Sequence, residues 1–152
     1  MQGRWTQPSV SCPTNGSASL AIWIGLDGEN GPSRATLEQV GTNIDCRDGH
    51  ARTFAWFEIL PRDRFEQELG LEVKSGDRIA ASIAVVGRSY QLVLENLTTG
   101  LEVDTLQRSP GARRQTAEWV VEAPTVGCPS DCQVALLASF GTITFSAPFG
   151  LL

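Results

Sequence analysis

The chain has 152 residues, 41% of them hydrophobic, which suffices for one domain with its own core. Its formal net charge of -5 argues against nucleic acid as a partner, because phosphate binding depends on clustered Lys and Arg. No apolar run reaches the roughly eighteen residues of a membrane helix, so no membrane span is expected. We expect a single domain over residues 1–152, monomeric in solution.

Short alternating segments separated by turn residues predict an antiparallel all-β domain, either a sandwich or a barrel. In chain order the predicted strands are 20–26, 36–45, 52–60, 78–86, 89–95, 101–106, 116–123, 134–139 and 142–146. Residues 63–69 favour a short helix. Gly, Pro, Asn, Asp and Ser occupy most of the stretches between the strands, as tight turns require.

Three predicted strands mix carboxylates with large apolar side chains on one face. Since side chains alternate along a strand, the shared faces hold Trp23 with Asp27, Trp56 with Glu58, and Val120 with Glu118 and Glu122. One interpretation is a solvated outer face. The other is a concave cleft for a polymer, in which indoles supply contact area and carboxylates supply hydrogen bonds or chemistry.

The residue types present exclude most hydrolase mechanisms. His50 is the single histidine and lies in a polar stretch, so a surface position is expected for it and a His-dependent triad is not. The sequence has no G-x-S-x-G, no H-E-x-x-H and no glycine-rich phosphate loop. Acid–base chemistry therefore falls to carboxylates, and neither a metal nor another cofactor is expected.

The cysteines favour disulfides over zinc. Cys12, Cys46, Cys128 and Cys132 are even in number and lack C-x-x-C spacing. We predict two bridges, Cys12 to Cys46 and Cys128 to Cys132. Because disulfides persist in oxidising compartments, a secreted, extracellular protein is expected.

Six short motifs follow one another through most of the chain. They are W-T-Q-P-S-V at 5–10, W-I-G-L-D-G at 23–28, E-Q-V-G-T at 38–42, F-A-W-F-E-I-L-P at 54–61, E-N-L-T-T-G at 95–100 and A-E-W-V-V-E at 117–122. In order and spacing they resemble the motifs of the glutamic peptidases, or eqolisins, and residues 136–145 resemble that family's closing strand pair.

The resemblance implies a sandwich of two bent antiparallel sheets, concanavalin A-like or jelly-roll-like, whose concave face is a peptide cleft. It implies an endopeptidase that acts in acid on polypeptide substrates. Glu118 would be the catalytic general base and acid. Gln39 would be its catalytic partner, donating from a side-chain amide that does not titrate to the oxygen that gains charge.

The same resemblance implies four residues that line or brace the cleft as substrate-binding residues: Trp23, Asp27, Trp56 and Glu58. The strand that ordinarily begins the family, with its tryptophan, is absent before residues 5–10, so one side of the cleft is expected to be incomplete. Two alternatives stay open. One is a noncatalytic carbohydrate-binding sandwich, and the other is a degenerate eqolisin that keeps the fold without activity.

Overall fold

The computed structural model describes residues 1–29, 36–63, 65–127 and 131–147 as an all-β protein. Within these ranges the strands are β1 (Gln2–Thr6), β2 (Ser17–Asp27), β3 (Leu37–Arg47), β4 (His50–Leu60), β5 (Gln67–Leu69), β6 (Arg78–Val86), β7 (Ser89–Asn96), β8 (Leu101–Arg108), β9 (Ala117–Glu122), β10 (Thr125–Val126) and β11 (Gln133–Val134). The described residues form no helix long and apolar enough to cross a membrane.

The strands form two main antiparallel sheets. One sheet has the order β5-β4-β3-β2-β9 and the other the order β1-β6-β7-β8, while β10 and β11 form a small separate pair. Asp48 and Gly49 join β3 to β4 with φ of 49° and 82°, the left-handed backbone that matches the twist of a tight hairpin. His50 follows as the exposed first residue of β4, so it lies at the surface as expected.

The two sheets pack face to face over one apolar core. Ile22 and Ile24 of β2 enter it from the five-stranded sheet, and Leu92 and Leu94 of β7 enter it from the four-stranded sheet. All four are fully buried, and each contributes about 1.5–3 kcal/mol by leaving water. The predicted antiparallel β-sandwich is confirmed.

Strand β5 corrects the predicted helix at residues 63–69. Gln67–Leu69 is extended and pairs with β4, with Gln67 opposite Phe57 and Leu69 opposite Ala55. Arg64, inside the predicted helix, lies outside the described residues. The local pattern permits a helical turn, but backbone pairing with the edge of an existing sheet outweighs so weak a preference.

The two predicted closing strands are also wrong in most of their length. Apart from Gln133–Val134, residues 134–146 make single bridges rather than ladders, with Leu137 against Ser19, Ser139 against Ser11 and Ser146 against Arg4. They bridge the edge strand β1 of one sheet and the part of β2 that β9 leaves unpaired in the other. Their apolar residues Phe140, Ile143 and Phe145 pack against the core, so the alternating pattern is satisfied without a ladder.

Strand β1 is an element that the sequence pattern did not predict. Gly3 and Trp5 are its inward-facing residues, and only the second has a side chain. A Cβ at Gly3 would stand 2.7 Å from a methyl group of Ile24, so the close approach of β1 to β2 requires glycine here. Because one of its two inward-facing residues is a glycine, β1 lacks the full alternation of apolar and polar side chains by which a strand is predicted.

The predicted Cys12–Cys46 disulfide is confirmed. It joins the chain just before β2 to the end of β3, with the two Cα atoms 5.3 Å apart. Cys128 lies outside the described residues, so the bridge from Cys128 to Cys132 stays a prediction. This disulfide thus ties the end of β3 to the segment that precedes β2.

Candidate active site

The outer face of the five-stranded sheet, turned away from the core, carries the predicted dyad. In the sheet register Gly25 of β2 stands opposite Gln39 of β3 on one side and opposite Glu118 of β9 on the other. Gln39 in turn stands opposite Glu58 of β4. Because directly opposed residues share a face, the side chains of Glu118, Gln39 and Glu58 lie in one row across four strands.

Gly25 leaves a gap in this row between the two catalytic candidates. Neighbouring strands are about 4.8 Å apart, so the backbones of Gln39 and Glu118 are separated by about 10 Å. A Cβ at Gly25 would stand 2.7 Å from the ring of Trp23 and 2.8 Å from Leu37 Cδ1. Only glycine fits here without a shift of the Trp23 and Leu37 side chains, which cover this point of the row.

The amide of Gln39 is held by Glu58. Gln39 Nε2 donates to Glu58 Oε2 at 2.6 Å. Gln39 is buried and Glu58 is partly buried. Burial raises the pKa of Glu58, and the nearby carboxylates of Asp63 and Glu122 add to this, while the hydrogen bond from Gln39 opposes it. The pair therefore places a non-titrating amide donor against a carboxyl whose pKa is raised.

The carboxyl of Glu118 lies on the other side of the gap, against the turn that follows β2. Its Oε1 is 2.5 Å from the point where a Cβ of Gly28 would stand, and Gly28 has a φ of 104°. Burial, and next the charge of Glu122, raises the pKa of Glu118. A partly buried carboxyl with a raised pKa can both accept and return a proton.

A second, smaller apolar cluster lies on the outer face around this row, and we call it the floor. It is formed by Ala21, Trp23, Leu37, Phe54 and Trp56. The indole of Trp23 donates to Glu122 Oε1 at 2.9 Å. Trp56 is 2% exposed, and its Nε1 has no hydrogen-bond partner within the described part of the chain. Both tryptophans predicted to line a cleft therefore belong to this outer-face cluster.

Residues 1–148 match the family model described as the Peptidase A4 family. The chain belongs to this family. Solved structures agree: the chain is similar to scytalido-glutamic peptidase bound to a transition-state analogue inhibitor, with a TM-score of 0.79 and 29% identity, over 95% of this chain and 70% of that one. No curated protein matches it.

Two further structures extend the likeness. One is SCP-B, a member of the eqolisin family of peptidases in complex with the tripeptide Ala-Ile-His, with a TM-score of 0.71 and 26% identity over 93% of this chain and 67% of that one. The other is aspergilloglutamic peptidase from Aspergillus niger, with a TM-score of 0.65 and 25% identity over 78% of this chain and 69% of that one. The resemblance to the eqolisins is confirmed.

The Peptidase A4 chain is thus a hydrolase that acts on peptide bonds, and its substrates are polypeptides. The carbohydrate-binding alternative has no support from the family or from these neighbours. Among the described residues no group of three or more His, Cys, Asp or Glu side chains is placed to hold a metal ion.

In this peptidase Asp27, predicted to line or brace the cleft, is 3% exposed and faces backbone. Its carboxylate accepts from the N–H groups of Arg113, Arg114 and Gln115 at 2.7–2.9 Å and from the hydroxyl of Thr36. Burial favours a higher pKa for Asp27, but these hydrogen bonds together lower it. Asp27 fixes the segment that leads into β9 and so braces the strand that carries Glu118.

Glu66 is a site carboxyl that sequence reasoning missed. Burial, followed by the charges of Glu58, Asp45, Glu122 and Glu68, raises its pKa to about 7. It lies next to Gln67, which pairs with Phe57 beside Glu58. The sequence carried no signal for this, because Glu66 reaches the site only through the β5 edge that was predicted as helix.

Proposed function

We propose that this peptidase cleaves internal peptide bonds of polypeptides in acid, with Glu118 as general base and acid and Gln39 as donor to the oxyanion. The observation that supports the proposal is the row across the sheet, in which Gln39 and Glu118 each stand opposite Gly25, one on either side of it. No metal or cofactor has a part in this scheme. The Cys12–Cys46 disulfide supports a further proposal, that the enzyme is secreted.

The chemistry needs one water molecule and balances within the dyad. Glu118 takes a proton from the water while the water oxygen attacks the carbonyl carbon of the substrate. The carbonyl oxygen then gains negative charge. An N–H of Gln39 donates to that oxygen and stabilises the tetrahedral intermediate. Glu118 then gives its proton to the leaving nitrogen, the C–N bond breaks, and a new carboxyl and a new amine are released.

The carboxyls around the row favour action in acid. Burial raises the pKa of Glu58 and brings that of Glu66 to about 7. Glu66 is therefore neutral in acid, whereas towards neutral pH it adds negative charge near an oxygen that is itself gaining negative charge. Turnover should rise with pH as Glu118 ionises and should fall again as Glu66 ionises, giving a bell-shaped profile on the acid side of neutrality.

The test is turnover of an unfolded protein substrate in acid by the wild-type enzyme, Glu118→Gln and Gln39→Ala. Loss of an oxyanion donor costs about a hundred- to a thousandfold in turnover, and loss of the general base should cost at least as much. Both variants should bind substrate peptides with nearly unchanged affinity, because the missing interactions strengthen only in the transition state.

Glu122→Gln is the matched control. It lies on the same face of β9, and an amide oxygen at this position can still accept from the Trp23 indole. Its loss of turnover should be far smaller than that of Glu118→Gln. Equal losses in the two variants, or acid proteolysis that survives Glu118→Gln, would contradict the proposed roles. A folded wild-type enzyme without any activity would instead favour the degenerate eqolisin.

A further inference from the structure

An oxyanion donor made from a glutamine must have its amide turned the right way. The side-chain amide donates from its nitrogen and accepts at its oxygen, and a half-turn of the group exchanges the two. With the oxygen turned towards the substrate carbonyl, Gln39 would repel the developing charge rather than stabilise it. Something in the site must therefore favour one of the two orientations.

Glu58 is placed to make that choice. It stands directly opposite Gln39 in the β3–β4 register, and its Oε2 accepts from Gln39 Nε2 at 2.6 Å. While Glu58 is ionised it has no hydrogen to donate, so the half-turned amide would set two acceptors against each other. The bond engages one hydrogen of the Gln39 amide on the β4 side and leaves the second hydrogen for a substrate oxygen.

Within the described ranges the side chains of Gln39 and Glu58 form their hydrogen bond with each other and with no further side chain. Glu58 otherwise shares its face of β4 with Phe54, Trp56 and Leu60, which are apolar. The carboxyls of Asp63, Glu66 and Glu122 are also near, and burying one more carboxyl here is unfavourable unless it makes a specific contact. The position would suit an apolar side chain if it served only to fill the floor of the cleft.

We propose that Glu58 is a positioning residue, which orients the Gln39 amide so that an N–H faces the scissile carbonyl. This inference rests on the proposed role of Gln39 as oxyanion donor. Glu58 acts through Gln39 and does not hold the substrate, which differs from the substrate-binding role that the sequence implied.

A double-mutant cycle tests it, with kcat and KM measured in acid on a peptide substrate for Gln39→Ala, Glu58→Leu and the double variant. Glu58→Leu should lower kcat by about ten- to a hundredfold, less than loss of the donor itself, with little change in KM. In the Gln39→Ala background the same substitution should lower kcat no further, because its target is already gone.

Two further variants separate positioning from a structural role. Glu58→Gln keeps an oxygen that can accept from Gln39 Nε2 but also gains an N–H that could pair with the half-turned amide, so it should recover part of the lost kcat. It serves as the test if Glu58→Leu does not fold. Glu95→Leu, on the outer face of the four-stranded sheet, changes a partly buried strand glutamate far from the row and should leave kcat and KM near the wild-type values.

The outcomes are distinct. A raised KM with unchanged kcat in Glu58→Leu, or a further loss of kcat in the double variant, would overturn the positioning role in favour of direct substrate contact. Failure of Glu58→Gln to recover activity would also count against it. If Gln39→Ala by itself kept wild-type kcat, the proposed function of Gln39 would fail, whatever Glu58 does.

Discussion

The two sheets of this peptidase bury their strands differently. Strand β7, inside the four-stranded sheet, alternates between partly buried and buried residues along its whole length. Strands β2 and β3, inside the five-stranded sheet, are buried at nearly every position. The four-stranded sheet therefore has one core face and one wet face, as antiparallel sheets commonly do, whereas the centre of the five-stranded sheet is shielded on both.

On the outer face of the five-stranded sheet, polar side chains are shielded from water although they lie outside the core. On the outer face of β2 and β3 a small apolar cluster around Trp23 and Trp56 surrounds Gln39, and Glu58 lies at its border. Polar groups in such a setting interact more strongly and have shifted pKa values. The sheet with two buried faces is accordingly the one that carries the catalytic candidates.

The largest effect should follow from adding a side chain at Gly25, the position in the row that has none. In Gly25→Ala the new methyl would stand within 2.8 Å of both Trp23 and Leu37, so the floor must shift. A displacement of about 1 Å in an active site can cost a hundredfold in rate, and we expect a loss of that order in kcat/KM. Gly70→Ala is the control, since nothing lies within 4 Å of its added methyl. Equal activity of the two variants would show that the gap is not needed.

The second largest effect concerns how much each outer face contributes to the free energy of unfolding. Trp56→Ala removes a fully buried side chain from the outer face of the five-stranded sheet and should cost about 3–5 kcal/mol, as in a true core. Val93→Ala, on the outer face of β7, should cost about 1 kcal/mol or less. Denaturant unfolding measures both. If the two losses were similar, the claim that one sheet is buried on both faces would be wrong.

The smallest effect concerns a carboxyl on the inner face. Glu38 is fully buried, accepts from Ser109 Oγ at 2.6 Å, and has a second oxygen without a partner among the described residues. Burial raises its pKa from 4.5 to about 7, although the Ser109 bond opposes this. The folded state therefore holds this proton more tightly, and stability is full below about pH 4.5 and is lost as the pH rises to about 7.

Glu38→Gln should flatten that slope by about 1–3 kcal/mol, because an amide does not titrate. The part of the slope that remains should come from Glu66, whose pKa is also raised to about 7, and from Glu58 and Glu118, whose pKa values are raised as well. The free energy of unfolding, measured by denaturant at intervals between pH 4 and pH 8, gives both contributions. An unchanged slope in the variant would show that Glu38 stays ionised in the folded protein.

Much of the fold and of the site followed from local pattern and from the family motifs. Alternation placed Ile22 and Ile24 opposite Trp23, and the structure bears this out. The motifs assigned Gln39 and Glu118, which the sheet register then brings into one row. The pattern failed at β5, where edge pairing outweighed a helical preference, and at residues 134–146, where single bridges replaced a predicted ladder.

The sequence by itself determined which face of each strand a residue occupies, because the period of two is a property of the local backbone. It could not determine which residues stand opposite each other, since register between strands distant in sequence depends on how the whole sheet assembles. The bond from Gln39 to Glu58, the gap at Gly25 and the bracing of β9 by Asp27 all depend on that register or on contacts between distant segments. Only the tertiary structure decided them, because each joins groups that come close only after the strands have paired.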